Sequence, residues 1–349
     1  MGNTVRLEDF SGALSYAPLT ECLLGPIRMT LLDAAIELKI ADHLDESDDP
    51  DVLAARLGVH PQNLRFFLDG LAAMGLVEKK DGRYANTRLA QEYLRTTSDT
   101  YLGELLTDLG KMQSCELPQL MALLRDGPPE KADESRQFDE AHWRRSARNL
   151  ARYQRAGLAR MAAEIAASLP EFPAMRRVLD LGGGPGVVCM EIVASKPELE
   201  GVICDQPAVI EVAREEIESR GLTGRVTCCA GNYNEIDFGS SYDLIWASHN
   251  LYFAKGLQDF MGRLFQGLNP GGVFISAHEG LRNERTGPAQ CVLARLPCAL
   301  EGRNVSFAEG EVADAAKAAG FAGHEKRVVV SPFGEIHVDI LRKPGRLAA

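Results

Sequence analysis

Residues 178–186 read VLDLGGGPG, an apolar run that ends in four glycines and a proline. Glycine is a poor residue for order in a strand-to-helix turn, so its use there marks backbone that must bend sharply and stay bare. A bound cofactor accounts for that requirement. From about residue 175 the chain then alternates. RRVLDL is a strand and VVCMEIVASK a helix; GVICD is a strand and PAVIEVAREEIESRG a helix. RVTCCAG and YDLIWAS are strands, AKGLQDFMGRLFQGL is a helix, and VFISAHE is a strand after PGG. Such alternation dictates an α/β fold with a parallel sheet covered on both faces. The last stretch, HEKRVVVSPFGEIHVDILRK, reads as two strands joined at Pro332–Gly334, which adds an antiparallel strand. Cys228 and Cys229 are adjacent on one strand, so they face opposite sides of the sheet.

The first part of the chain has another grammar. Residues 1–165 read as almost all helix, which places a domain boundary at 165/166. LLDAAIELKIADHL has helical spacing. In the next stretch Gly58 ends one helix, Pro61 opens another and Gly75 ends it. LVEKKDGRYA then alternates around Asp81-Gly82, a hairpin signal. Helix, turn, helix and hairpin make a winged helix. Its second helix offers Arg65 as its one cation, without the clustered basic face of a groove reader. A packing and dimerisation module is expected, with a ligand-sensing regulator as the alternative of a different class. Beyond Pro128-Pro129, residues 138–169 read as one long helix rich in arginine. These arginines form a solvated basic face, or one such as Arg155 reaches an anionic substrate beside Tyr153 and Trp143.

Bulk composition narrows the partners. A net charge of −11 over 349 residues argues against nucleic acid. The sequence holds no apolar run of about 18 residues, so no membrane span is expected. The N-terminal MGNTVRLEDFSG lacks the apolar core of a signal peptide, and a cytoplasmic enzyme is expected. Eight cysteines without C-x-x-C spacing suggest reduced thiols.

The glycine turn does not fit G-x-G-x-x-G, because the last place falls on Val187 or Cys189. It fits D-x-G-x-G-x-G, through Asp180, Gly182, Gly184 and Gly186. In this it resembles the first motif of the class I S-adenosylmethionine-dependent methyltransferases, which implies a Rossmann-like sheet and S-adenosylmethionine as cofactor. Asp205, at the end of the second strand, is suited to hold the ribose hydroxyls; capping the helix at Pro207 is its other reading. Asn232 and Tyr233 end the third strand, where an amide could read the adenine and a ring could stack. Gln206 and Ser248 join the same cofactor-binding set.

VLDLGGGPG, CDQPAV, AGNY, the NPGG turn and the AHE strand end occur in this order. Together with the N-terminal winged helix they resemble the small-molecule O-methyltransferases of the caffeate and acetylserotonin type. The resemblance implies a homodimer formed through the N-terminal domain and a small-molecule acceptor. The family's histidine base falls on Tyr252 here, and the nearest histidine is His249. The family's orienting glutamate matches Glu279, and a second acidic place falls near Asn304. Tyrosine, with a pKa of about 10, suits orientation better than base catalysis. Three routes stay open: His249 serves a hydroxyl; a thioether sulfur is methylated without a base; or carbon is the acceptor. His249, His278 and Glu279 lack H-x-x-x-H spacing, and no metal is expected.

Overall fold

The computed structural model describes residues 16–129, 140–303 and 305–345. The chain divides into two compact units between Thr107 and Asp108. The first contains α1 (Ala17–Glu21), α2 (Leu24–Glu37), α3 (Ile40–Glu46), α4 (Pro50–Leu57) and α5 (Pro61–Ala73). The hairpin β1 (Val77–Lys80) and β2 (Arg83–Asn86) and the helix α6 (Arg88–Tyr93) follow, and α7 (Gly103–Gln113) runs across the division. The expected stops and starts hold. Gly58 adopts φ 67° behind α4, Pro61 opens α5 and Gly75, at φ 76°, follows it; Asp49 and Pro50, which the sequence reading did not single out, cap and open α4. Asp81 and Gly82, at φ 49° and 77°, make the tight turn that pairs β1 with β2. Leu53, Leu68, Leu71 and Tyr84 fill this unit's core. Arg65 is paired with Asp51, and Asp69 with Lys79 and the Tyr84 hydroxyl.

The second unit continues with α8 (Leu117–Asp126), α9 (Glu140–Tyr153), a π-helical turn at Gln154–Leu158 and α10 (Ala159–Ala167). Then come β3 (Arg177–Leu181), α11 (Val187–Ala194), β4 (Glu200–Asp205), α12 (Pro207–Ser219) and β5 (Val226–Ala230). β6 (Tyr242–Ser248), a 3-10 turn at Leu251–Phe253, α13 (Leu257–Gly267), β7 (Leu268–His278) and β8 (Gly280–Leu281) follow. The chain closes with α14 (Ala289–Leu300), β9 (Phe307–Ala308), α15 (Glu311–Ala318), β10 (Ala322–Ser331) and β11 (Gly334–Arg342).

Seven strands form one sheet in the order β10-β11-β7-β6-β3-β4-β5. β3 to β7 are parallel to one another, while β11 runs antiparallel to both β7 and β10. The strand order reverses at β3, which pairs with β4 on one side and β6 on the other. Ligands of such sheets sit beyond the carboxyl ends of the strands at this point. One core lies on each face, with Trp246, Met190 and Ile275 on one and Leu179, Phe260 and Phe274 on the other. Cys228 packs against the first core and Cys229 against the second, as alternation requires.

Two expectations need correction. The boundary is not at 165/166, because α9 and α10 bury Ala147, Ala151, Ala162 and Ala166 within the sheet-bearing unit. The long helix over 138–169 is also not continuous. Gly157 sits inside it at φ 145°, a conformation that glycine alone adopts without strain, and the π turn forms there.

Candidate active site

The glycine turn links β3 to α11, and the chain's own side chains crowd it. Gly182 has φ 57°, and a Cβ there would collide with the Asn250 amide. At Gly184, with φ 62°, a Cβ would stand 2.7 Å from Leu150 Cδ2. So the bareness read from the sequence has a second cause: side chains from α9 and from the turn after β6 occupy the space. Gln154 spans the turn, donating from Nε2 to Gly183 O at 3.2 Å and accepting from Val187 N at 3.0 Å. The π turn puts Gln154 in this position, consistent with the frequent use of such irregularities at functional sites.

Asp180 lies behind the turn. Its carboxylate accepts from Cys189 N at 3.1 Å and fills the space that a Cβ on Gly183 would need. Burial raises its pKa to about 7, the Cys189 N–H opposes the rise, and the Asp205 charge adds to it. At 2% exposure it braces the turn from within.

Asp205 stands at the tip of β4. Oδ2 accepts from Gly184 N at 2.8 Å and Oδ1 from Gln206 N at 2.7 Å. Helix α12 is therefore entered through Gln206 at the N-cap position, and Asp205 is left at the rim of the turn. Burial raises its pKa against these two N–H groups. Gln206 makes no side-chain cap bond. Asn232 binds its own turn, accepting from Asn234 N at 3.0 Å and donating to Glu235 at 3.1 Å. Tyr233 points into the core instead of outward: its hydroxyl donates to Asn250 O at 2.8 Å and its ring tilts against Phe260. That corrects the stacking role. Ser248 ends β6 with its Oγ buried and unbonded, and the Oδ1 of Asn250, two residues on, is also buried and unbonded. Buried polar atoms are nearly always bonded, so two orphans next to a glycine cradle fit a polar ligand.

The acceptor side is built on the turns after β6 and β7. His249 has φ 52° and donates its amide to Ala277 O at 3.1 Å. Its Nδ1 lies 3.1 Å from Glu279 Oε2, while Arg295 Nη2 lies 2.7 Å from Glu279 Oε1. Burial of Glu279 works against ionisation, but the His249 bond and charge and the Arg295 guanidinium overcome it and hold the carboxyl well below the usual range. A permanent carboxylate fixes the histidine with Nδ1–H donating, and among the described residues nothing bonds to Nε2. Tyr252 is half-buried. Its ring meets His278 edge-on at 6.0 Å, and the Arg295 guanidinium lies 5.9 Å from its centre. Burial raises its pKa to about 12, with Arg295 opposing, so the phenol stays protonated. Tyr153 joins this group: burial and then the Glu279 charge raise it to about 12, and its ring meets Phe333 edge-on at 5.3 Å.

The remaining expected substrate residues are not gathered here. Arg155 forms a two-pronged pair with Glu216 on α12, both bonds at 2.6 Å. Arg148 pairs with Glu215 and Arg144 with Glu211, so this face of α9 is tied to α12. Trp143 is 42% exposed and meets the His142 ring edge-on. His278 cannot serve a metal, since its Nε2 accepts two backbone N–H groups. Among the described residues, no three His, Cys, Asp or Glu side chains are arranged to hold a metal ion. Asn304 lies outside the described residues. Sequence reasoning missed Arg295, Gln154 and Asn250. Gly157 within a helical pattern was a signal for Gln154; nothing local marked Arg295, which reaches Glu279 from α14.

Residues 20–96 match the O-methyltransferase dimerisation domain, and residues 143–322 match the O-methyltransferase domain. The chain is 26% identical over 300 residues to the 3-hydroxy-5-methyl-1-naphthoate 3-O-methyltransferase of Streptomyces sahachiroi, covering 83% of this chain and 86% of that one. It is 25% identical over 275 residues to an N,N-dimethyltransferase of Streptomyces rimosus, covering 76% and 78%. In fold it is similar to human N-acetylserotonin methyltransferase, solved in complex with S-adenosylmethionine, with a TM-score of 0.77 at 20% identity over 96% and 99% of the two chains.

Proposed function

The chain belongs to the O-methyltransferase family and is an S-adenosylmethionine-dependent methyltransferase of small molecules, and on that premise we propose that it methylates a hydroxyl with His249 as general base. The observation that carries this reading is the His249–Glu279 contact at 3.1 Å, held from the other side by Arg295. Such a dyad serves an acceptor that must lose a proton. A thioether sulfur has no proton to lose, so the dyad favours oxygen over sulfur.

The cofactor, when bound, supplies a methyl group already activated on a sulfonium. Asp205 at the turn's rim suits the ribose hydroxyls, and the orphaned Ser248 Oγ and Asn250 Oδ1 suit its polar groups. Gln206 and Asn232 flank the same rim, with side chains engaged locally or open. His249 Nε2 takes the acceptor proton as the oxygen becomes nucleophilic, and the ionised Glu279 stabilises the imidazolium that results. Arg295 keeps Glu279 charged and aimed. Tyr252, protonated and packed on Arg295, donates a hydrogen bond to orient the acceptor, with Tyr153 beside it. Holding the oxygen in line with the methyl supplies much of the rate.

The N-terminal unit acts as a winged-helix dimerisation module, and the protein works as a cytoplasmic homodimer. The dimerisation-domain match and the helix-helix-hairpin order support the dimerisation role. No described helix is long and apolar enough to cross a membrane. A labelled-methyl screen over phenols, carboxylates, thioethers and tetrapyrroles tests the reading. Label is expected on a hydroxyl oxygen, at a rate that collapses in His249→Ala. Transfer to sulfur or carbon alone, with His249→Ala fully active, overturns it. A gel shift with genomic fragments at physiological salt tests the regulator alternative; sequence-specific retardation would favour it.

A further inference from the structure

We propose that His278 is a positioning residue that joins the cofactor turn to the acceptor dyad, by accepting the backbone N–H groups of Asn250 and Leu251 on one ring nitrogen. The proposal rests on the methyltransferase reading only where it concerns turnover.

His278 ends β7 and is 3% exposed. Asn250 N and Leu251 N both lie 3.1 Å from its Nε2, and Ser276 Oγ lies 2.9 Å from its Nδ1. Two N–H groups converging on Nε2 require a lone pair there. The ring proton is therefore on Nδ1 and is donated to Ser276 Oγ. This is a neutral imidazole in one fixed tautomer. Burial, reinforced by the His249 charge, keeps it neutral down to about pH 3, while Glu279 opposes weakly. The titratable groups facing the ring are His249 and Glu279, with Tyr252 edge-on; His337 is its register partner on β11.

The segment it holds has two ends. At one end Asn250 Nδ2 donates to Leu181 O, the last residue before the glycine turn, and its amide group occupies the place of a Cβ on Gly182. Asn250 O also accepts from the Tyr233 hydroxyl at 2.8 Å. At the other end Tyr252 follows Leu251, and His249 precedes Asn250 with its own amide tied to Ala277 O. The ring thus fixes, through two main-chain bonds, a strand end that touches the cofactor turn on one side and carries the proposed base on the other. A hydrocarbon at position 278 leaves two buried N–H groups unpaired, a situation that folded proteins avoid. The segment then shifts to find partners, and both sites feel it.

Ring-labelled nitrogen NMR on the full-length protein saturated with S-adenosylhomocysteine reads the tautomer directly. A bare Nε2 and a protonated Nδ1 are expected across neutral pH. A proton on Nε2, or an imidazolium, overturns the proposal. His278→Leu and His278→Gln give the second arm, because a glutamine amide oxygen reaches close to the place of Nε2. For His278→Leu, calorimetry should show S-adenosylhomocysteine binding weakened on the order of tenfold, with kcat falling more than KM rises. His278→Gln should restore both to near wild type and keep the wild-type shape of the pH–rate profile. A fully competent His278→Leu, or a flattened profile in His278→Gln, overturns the positioning role. If His278→Leu fails to fold, the NMR reading and the glutamine variant decide the matter. If no hydroxyl acceptor is found, the NMR and calorimetric arms still judge His278, and the functional reading fails separately.

Discussion

The proposed cofactor corner and the proposed acceptor corner lie at the carboxyl ends of one sheet, and they are built by opposite means. The first is made mainly from consecutive residues, Asp180 to Val187, with Asp205 at the tip of the adjacent strand and Gln154 and Asn250 packed on the turn. The second is made from side chains that four separate segments bring together: Tyr153, His249 with Tyr252, Glu279 and Arg295. Backbone chemistry governs one corner and side-chain electrostatics the other. A substitution in one corner should therefore leave the other largely intact, except at His278, whose ring holds the segment that links them.

The largest effect is expected in the acceptor corner. Glu279→Gln keeps the shape but removes the charge that fixes His249. Turnover should fall roughly 10²- to 10⁴-fold, the usual range for general base catalysis. S-adenosylhomocysteine affinity, measured by calorimetry, should hold. A parallel loss of affinity would show that the corners are one unit and erase the distinction drawn here. In the cofactor corner, Asp205→Ala should weaken S-adenosylhomocysteine about tenfold or more, the scale of one charge-assisted hydrogen bond or better. Unchanged affinity would remove Asp205 from the site.

Legibility in the sequence follows the same division. The D-x-G-x-G-x-G spacing, the alternation of strands and helices, and the hairpin at Pro332–Gly334 are local signals, and the fold follows from them. Glu279 and His249 could be named because they directly follow β7 and β6, where the resembled family carries its orienting glutamate and, close by, its histidine base. Their meeting could not be read, since His249 reaches Glu279 only through a left-handed backbone at φ 52°. Arg295 comes from an amphipathic helix whose sequence resembles any other, so only the tertiary fold reveals its partner. Tyr233 misled for a related reason. A strand-end aromatic can turn outward to a ligand or inward to the core, and here the Asn250 carbonyl, which also accepts from Phe253 N, takes its hydroxyl inward.

Arg155 gives a smaller and more pointed test of that division. The sequence left it on a solvated basic face or over an anionic substrate, whereas the structure engages it with Glu216, the two side chains being 25% and 14% exposed. Arg155→Ala should lower stability by about 1 kcal/mol in urea unfolding and leave KM for the acceptor unchanged. A marked rise in KM with stability intact would return Arg155 to the substrate side.

The finest comparison sets one buried group from each corner against the other. Burial, aided by the His249 charge, lowers His278 from 6.5 to about 3. Burial, opposed by the Cys189 N–H and aided by Asp205, raises Asp180 from 3.8 to about 7. A depressed histidine contributes stability that is lost as pH falls from 6.5 towards 3, because the unfolded chain takes up the proton first. A raised aspartate has the opposite sign: its contribution is present below 3.8 and is lost as pH rises through about 7. Between about pH 4 and 6.5 the two slopes oppose each other, and wild type hides both. Asp180→Asn should unmask the histidine, so that stability relative to wild type falls on acidification by up to about 1.4 kcal/mol per pH unit. His278→Gln should unmask the aspartate, and its stability relative to wild type should instead fall as pH rises through the same window. Urea unfolding of the three proteins at pH 4.5, 5.5 and 6.5 measures the difference curves, in which unaltered groups cancel. Difference curves that slope the same way, or not at all, would mean that one of these side chains takes up its proton as freely in the folded protein as in water, and that its corner is more open than its packing indicates.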